Sequence, residues 1–406
     1  MKLHKLLALG MAGLAFAACE KNEGVSQGED GRVRVTLSLG TTQATRSFGQ
    51  SAAGLYNDVT DLQIFFYNGA GAFVSVPSSG TIGGVAYDNE AAINSAVKDG
   101  LNGSEHKVTV ELKEVPSSAS QIYIVANSTG KSNQIGTTSL NEARKTTIHL
   151  KNQIKKDFTR FSGEESRLTG LGTIDGDGNA TVQLRPAPSR IEMGKVTAVP
   201  LKAGETWGGS EIKSFTVAGF YINKFRVQGY LDAKALGLQE IMEGAQDYGN
   251  VKDNYTKAKY EEVTWGAMCD EPTAADYTYA VGGETTTIYT ATPVDSKWFG
   301  FMLLRGTPAD VVVKLNVTYA DNTEAVKFLT ITNYKYGSTW EDKLNNTTHQ
   351  AGESVAEFLR GHVYKLTDIK FDVTDLTDVP YETTKTVTAI VEVMPWVGVD
   401  VVPEFK

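Results

Sequence analysis

The side chains able to do covalent, acid–base or metal chemistry are few and far apart in this sequence. The five histidines (His4, His106, His149, His349 and His362) are scattered along 406 residues, and no His-rich metal site is expected from them. There are two cysteines, Cys19 and Cys269. A nucleophilic Cys269 would need a paired histidine, and its local sequence offers none, so it reads as a small buried residue. Residues 175–179 (DGDGN) start like a Ca²⁺ loop. That loop needs Gly at its sixth position and Glu at its twelfth, and here those are Ala180 and Pro186. A hairpin turn between LTGLGTI and ATVQL is the expectation instead. No phosphate-binding P-loop, GxSxG elbow or HExxH occurs. The chain is therefore read as a non-enzyme, with no cofactor, catalytic or metal residue.

Cys19 has another chemistry open to it. Lys2 and Lys5 precede an apolar run over 6–18, too short to span a bilayer and of signal-peptide length. The run ends Phe16-Ala17-Ala18-Cys19, and small residues before a cysteine resemble a bacterial lipobox. In such signals the thiol receives a diacylglycerol and the bond before the cysteine is cut. Residues 1–18 are thus expected to be a lipoprotein signal peptide and Cys19 the lipidated residue. With Cys19 so used, one thiol remains and no intramolecular disulfide is expected.

The elements that would position any site are mostly strands. Hydrophobic residues make up 41% and charged residues 21%, a globular composition, and the length suits about two or three domains. Net charge is −9 without basic clusters, which argues against nucleic acid as a partner. Residues 20–31 are polar and read as a tether. In 32–39 (RVRVTLSL), Val33, Val35, Leu37 and Leu39 alternate with Arg32, Arg34, Thr36 and Ser38, the period of a half-buried strand. The next stretch, 40–54, is a loop holding Arg46. Strand patterns follow at 61–68, 107–112, 121–127, 146–150, 180–186, 195–201, 214–225, 311–319, 325–331 and 363–373. Short helices are expected at 89–97, 233–248 and 353–359, and an elaborated polar and aromatic loop at 249–298. Two prolines in RPAPSRIEM mark a domain boundary near 187. Each half reads as a β-sandwich.

The tail is the second informative segment. Val387, Ala389, Val391, Val393, Pro395, Val397, Val399 and Val401 keep one parity, with Thr386, Thr388, Glu392 and Asp400 on the other, where Ile390, Met394 and Trp396 break the polar rule. Pro395 cannot donate a ladder hydrogen bond, so two strand arms joined by a kink at Pro395-Trp396 are expected.

These pieces together resemble the fimbrillins, the type V pilus subunits of Bacteroidota. The carriers are FAAC ending at Cys19, RVRVTLSL, the ATR-S loop at Arg46, APSRIEM, FTVAGFYINKF, GHVYKLTDIKF and VEVMPWVGVDVVP, in that order. The resemblance implies an all-β fold with minor helices, as two transthyretin-like β-sandwich domains in tandem. It implies a lipidated propeptide 19–46 with the first strand, an N-terminal domain 47–187, a C-terminal domain 188–384 and a donor-strand tail 385–406. It further implies outer-membrane delivery as a lipoprotein and cleavage by an arginine-specific protease between Arg46 and Ser47. The first strand (Val33, Val35, Leu37, Leu39) then leaves with the lipid. The vacated groove accepts the tail of another pilus subunit through Val387, Ala389, Val391, Val393, Trp396, Val397, Val399 and Val401. The product is a cell-surface fimbrium, with adhesion to a host or bacterial surface ligand as a further role. A sheet missing a strand exposes unpaired backbone and an apolar groove, and an alternating extended segment satisfies both. The alternative function is a surface lipoprotein that binds glycans through exposed Trp and Tyr.

Overall fold

The computed structural model describes residues 31–39, 48–49, 59–128, 135, 138–153, 167–201, 206–233, 241–242, 251–264, 268–283, 287–342, 347–382 and 387–395. The fold is all-β with minor helices, built from two curled sheets in tandem. The first sheet runs Phe73–Ser75, Leu62–Tyr67, Gln121–Ala126, Leu168–Thr173, Asn179–Pro186, Val33–Leu39, Lys107–Lys113, Ser79–Ile82, Val85–Tyr87. The second runs Cys269–Asp270, Ile212–Asn223, Asp310–Tyr319, Glu324–Tyr336, Val387–Pro395, His362–Phe371, Ser189–Ala198, Ile288–Pro293, Tyr277–Gly282. Trp298–Leu303 branches from Ser189–Ala198 and carries Phe48–Gly49 on its other side. The last strand of the first sheet in sequence ends at Pro186, and the next strand, Ser189–Ala198, begins in the second.

Alternation decides the faces where one side of the sheet is wet. Lys107–Lys113 buries Val108, Val110 and Leu112 and turns Lys107 and Thr109 outward. Leu62–Tyr67 and Gln121–Ala126 are near-continuous hydrophobic runs for a different reason. Leu62, Ile64, Phe66, Ile122 and Ile124 enter the first domain's core, while Phe65, Tyr67, Tyr123 and Val125 join the core of the second. Both faces are covered, so alternation is lost. The interdomain contact is therefore apolar and continuous with the C-terminal core.

The helix expected at 89–97 is Glu90–Leu101. Asn89 caps it by accepting from the Ala92 amide at 2.9 Å, and Ile93, Val97 and Leu101 enter the core. The 175–179 turn forms as expected: Asp175 Oδ1 accepts from the Asp177 and Asn179 amides at 3.0 and 2.7 Å.

Four expectations are corrected. Residues 353–359 are not helical, because their backbone is spent on other strands. Val355 N donates to Tyr334 O at 2.9 Å, and Phe358 exchanges bonds with Gly306. Ile241–Met242, inside the expected helix 233–248, pair with Phe225–Arg226 as strand; of the rest only Ala233 is described. The 249–298 region is structured rather than a loop. It holds helix Lys257–Thr264 and the hairpin Tyr277–Gly282 with Ile288–Pro293, because Tyr255, Tyr260 and Tyr277 are buried anchors. Within 40–54, Phe48–Gly49 are also strand.

Candidate assembly site

The first strand, Val33–Leu39, lies in the interior of its sheet. It runs parallel to Asn179–Pro186 and antiparallel to Lys107–Lys113, with six paired positions on each side. Val33, Val35 and Leu37 are fully buried and Leu39 nearly so. Their neighbours are Ala180, Val182 and Leu184 on one side and Val108, Val110 and Leu112 on the other. Burying four such side chains contributes on the order of 10 kcal/mol. Taking this strand away would leave two ladders open and an apolar slot between them.

The tail strand, Val387–Pro395, occupies a slot of the same polarity in the second sheet. It runs parallel to Glu324–Tyr336 at its start and antiparallel to His362–Phe371 at its end. Ala389 and Val391 are buried, Val393 packs partly against the core, and Ile390 faces outward at 49% exposure. Burial follows the expected parity from Ala389 to Val391. Gly337 N donates to Val391 O at 2.8 Å, and Ser338 Oγ donates to Glu392 Oε2 at 2.8 Å. The tail strand thus pairs with its own domain.

Val387 lies in this strand opposite Ile331. Cys19, Arg46, Ser47, Trp396, Val397, Val399 and Val401 lie outside the described residues, as does the kink expected after Pro395. Phe48–Gly49, just beyond the expected cut, pair with Phe299 and Trp298 of the second sheet. Leu39 and Phe48 therefore belong to different sheets.

Two groups of polar residues stand behind these strands without a signature in sequence. At the domain junction, Asp232 accepts from Arg360 Nε at 2.8 Å and faces Arg144 Nε at 3.6 Å. Arg360 also reaches the carbonyls of Arg185 and Pro186. Behind the second sheet, Asn223 Nδ2 donates to the hydroxyls of Tyr255 and Tyr381 at 2.9 and 3.0 Å, and the Tyr260 hydroxyl donates to Asn223 Oδ1. Burial pushes the Tyr255, Tyr260 and Tyr381 hydroxyls well above the usual phenol range, so all three stay protonated. Tyr255, Tyr260 and Tyr277 are consequently core anchors and not a platform for a ligand. Tyr279 is 37% exposed. Cys269 is buried as expected. Among the described residues no group of His, Cys, Asp or Glu is arranged to hold a metal ion, and no helix is long and apolar enough to cross a membrane.

Residues 32–185 match the family described as Major fimbrial subunit protein (FimA). No curated protein matches the chain in sequence. Among solved structures, a fimbrilin (fimA) from Porphyromonas gingivalis W83 is 14% identical with a TM-score of 0.50, covering 92% of this chain and 99% of that one. The tip fimbrial protein Mfa3 from Porphyromonas gingivalis is 9% identical with a TM-score of 0.36, covering 90% of this chain and 100% of that one. The fimbrillin resemblance read from the sequence is borne out: the chain carries the fold of a fimbrial subunit.

Proposed function

We propose that this fimbrillin-like chain is a structural subunit of a cell-surface fimbrium, exported as a lipoprotein on Cys19 and activated by a cut between Arg46 and Ser47. The cut releases the propeptide 19–46 with Val33–Leu39, and the tail of a neighbouring subunit fills the slot. The observation that carries this reading is the position of the first strand. Among the described residues it is the earliest strand, so removing it breaks no later connection, yet it sits inside a sheet between two full ladders. While present, it fills the slot and blocks premature assembly. The tail strand supports the reading from the other side, since it already fits a slot with one parallel and one antiparallel neighbour. Backbone bonds and alternate apolar side chains would carry the affinity. Such head-to-tail exchange does not close on itself and so builds a filament.

The partners under this reading are other pilus subunits, an arginine-specific protease, the outer membrane before the cut, and a surface ligand for the finished fimbria. The role is structural and adhesive, not catalytic. The test is the N-terminus and intact mass of the protein recovered from its own cell surface. A start at Ser47 without lipid is expected; a start at lipidated Cys19 would overturn the cleavage-gated reading.

A further inference from the structure

After strand His362–Phe371 the chain does not turn straight back into the tail. It first crosses the strand Glu324–Tyr336 as a belt over 372–381, and that belt is tied down residue by residue. Asp372 is fully buried and caps the turn Val373–Asp375. Thr377 exchanges backbone bonds with Phe328 at 2.9 and 3.0 Å, and its hydroxyl donates to the same carbonyl at 3.1 Å. Asp378 pairs with Lys327 at 2.8 Å. Tyr381 is the last tie: its amide donates to Thr330 Oγ1 at 3.1 Å, its hydroxyl accepts from Asn223, and Lys224 lies 4.8 Å over its ring. Its φ is +58°, a conformation that a tyrosine holds only when its surroundings fix it. The tail strand then pairs with the next part of the same strand, from Ile331 to Tyr336. Belt and tail thus use separate stretches of one strand, meeting between Thr330 and Ile331.

We propose that Tyr381 is a positioning residue for strand exchange: it pins the belt to the domain, so that the tail leaves from this point and the belt stays. This rests on the exchange reading above and sets its geometry. The donated chain starts no earlier than residue 382, and a pull along the filament enters the subunit at Tyr381. The Asn223 knot suits that duty, because it also ties Tyr255 and Tyr260 to the same outer face of the sheet.

Hydrogen exchange on the full chain at low denaturant separates the possibilities. In the wild type, 387–395 should exchange at least about tenfold faster than 372–381, in two distinct openings. Tyr381→Phe, which removes one half-buried hydroxyl, should speed 372–381 about tenfold toward the tail's rate and leave 310–319 unchanged. Thr330→Val, which removes the acceptor of the Tyr381 amide, should do the same and serves if the first variant does not fold. A single shared rate for belt and tail in the wild type overturns the pin. So does a variant that leaves 372–381 unchanged, or that speeds 310–319 equally. In the cleaved, assembled protein 372–381 should keep its monomer protection, and its loss there also overturns the pin. Failure of the cleaved protein to assemble would count against strand exchange alone, because the rates in the monomer are read independently.

Discussion

Asp232 and Arg360 form a 2.8 Å ion pair at the domain junction, with each side chain 8% exposed. Arg360 simultaneously holds the last carbonyls of the N-terminal sheet, and the segment ending at Asp232 adds a strand to Thr147–His149. The pair therefore couples both domains at a place where water cannot replace either partner. Asp232→Ala would leave the Arg360 guanidinium buried without its counter-charge, at a cost of about 3–5 kcal/mol. Arg144 is 35% exposed and adds little to that figure. Calorimetry should show a lower midpoint and unfolding of the two domains in separate steps.

Leu37 is fully buried in the first strand. Leu37→Ala should destabilise the uncut chain by about 2–5 kcal/mol. After cleavage at Arg46 and removal of the propeptide, the same variant should be indistinguishable from the wild type. Denaturant unfolding of both forms checks this, and a penalty that persists in the processed form contradicts removal of the strand.

Val391 is fully buried where the tail crosses from one neighbour strand to the other. Val391→Asp places a carboxylate there, at a cost of about 3 kcal/mol or more if it stays seated. The tail strand should come off its own domain, read as fast amide exchange over 387–395. The same charge should stop strand insertion into a second subunit, so cleaved protein should remain monomeric in sedimentation.

His362 lies opposite Pro395 at the end of the tail strand. Burial pushes its pKa down to about 4; Asp342 opposes this, while Arg185 and Arg360 add to it. The folded chain thus holds a neutral imidazole that the unfolded chain protonates first. Its contribution is complete above the ordinary value of 6.5, falls as pH drops from there to about 4, and is flat below. The span amounts to about 3 kcal/mol. Urea midpoints at pH 7 and pH 4.5 should differ more in the wild type than in His362→Asn, whose difference isolates this group from titrating carboxylates.

Much of the fold was legible because its signals are local. Val33 to Leu39 alternate in the sequence and in burial, and in the tail Ala389 and Val391 are buried on either side of exposed Ile390. Asn89 announces its helix, and Asp175 its turn, through side chains that bond backbone within a few residues. The misread segments are those whose partners are distant. Residues 353–359 have helical spacing, yet Tyr334 and Gly306 take their backbone bonds. The 249–298 region looks polar and aromatic in isolation, and only the sheet behind it shows that Tyr255 and Tyr260 are anchors.

The sequence by itself determined the alternating strands, such as Val33–Leu39 and Lys107–Lys113, and which face of each is apolar, because side-chain direction in a strand repeats every two residues wherever the strand lies. It also placed the first strand, the arginine and the tail in order along the chain. The tertiary structure decided who pairs with whom. It set Val33–Leu39 between a parallel and an antiparallel neighbour, gave Val387–Pro395 a parallel neighbour at its start and an antiparallel one at its end, and closed Asp232 onto Arg360. Those choices join residues far apart in the chain, and they follow from how two curled sheets bury their shared faces, which no local pattern encodes.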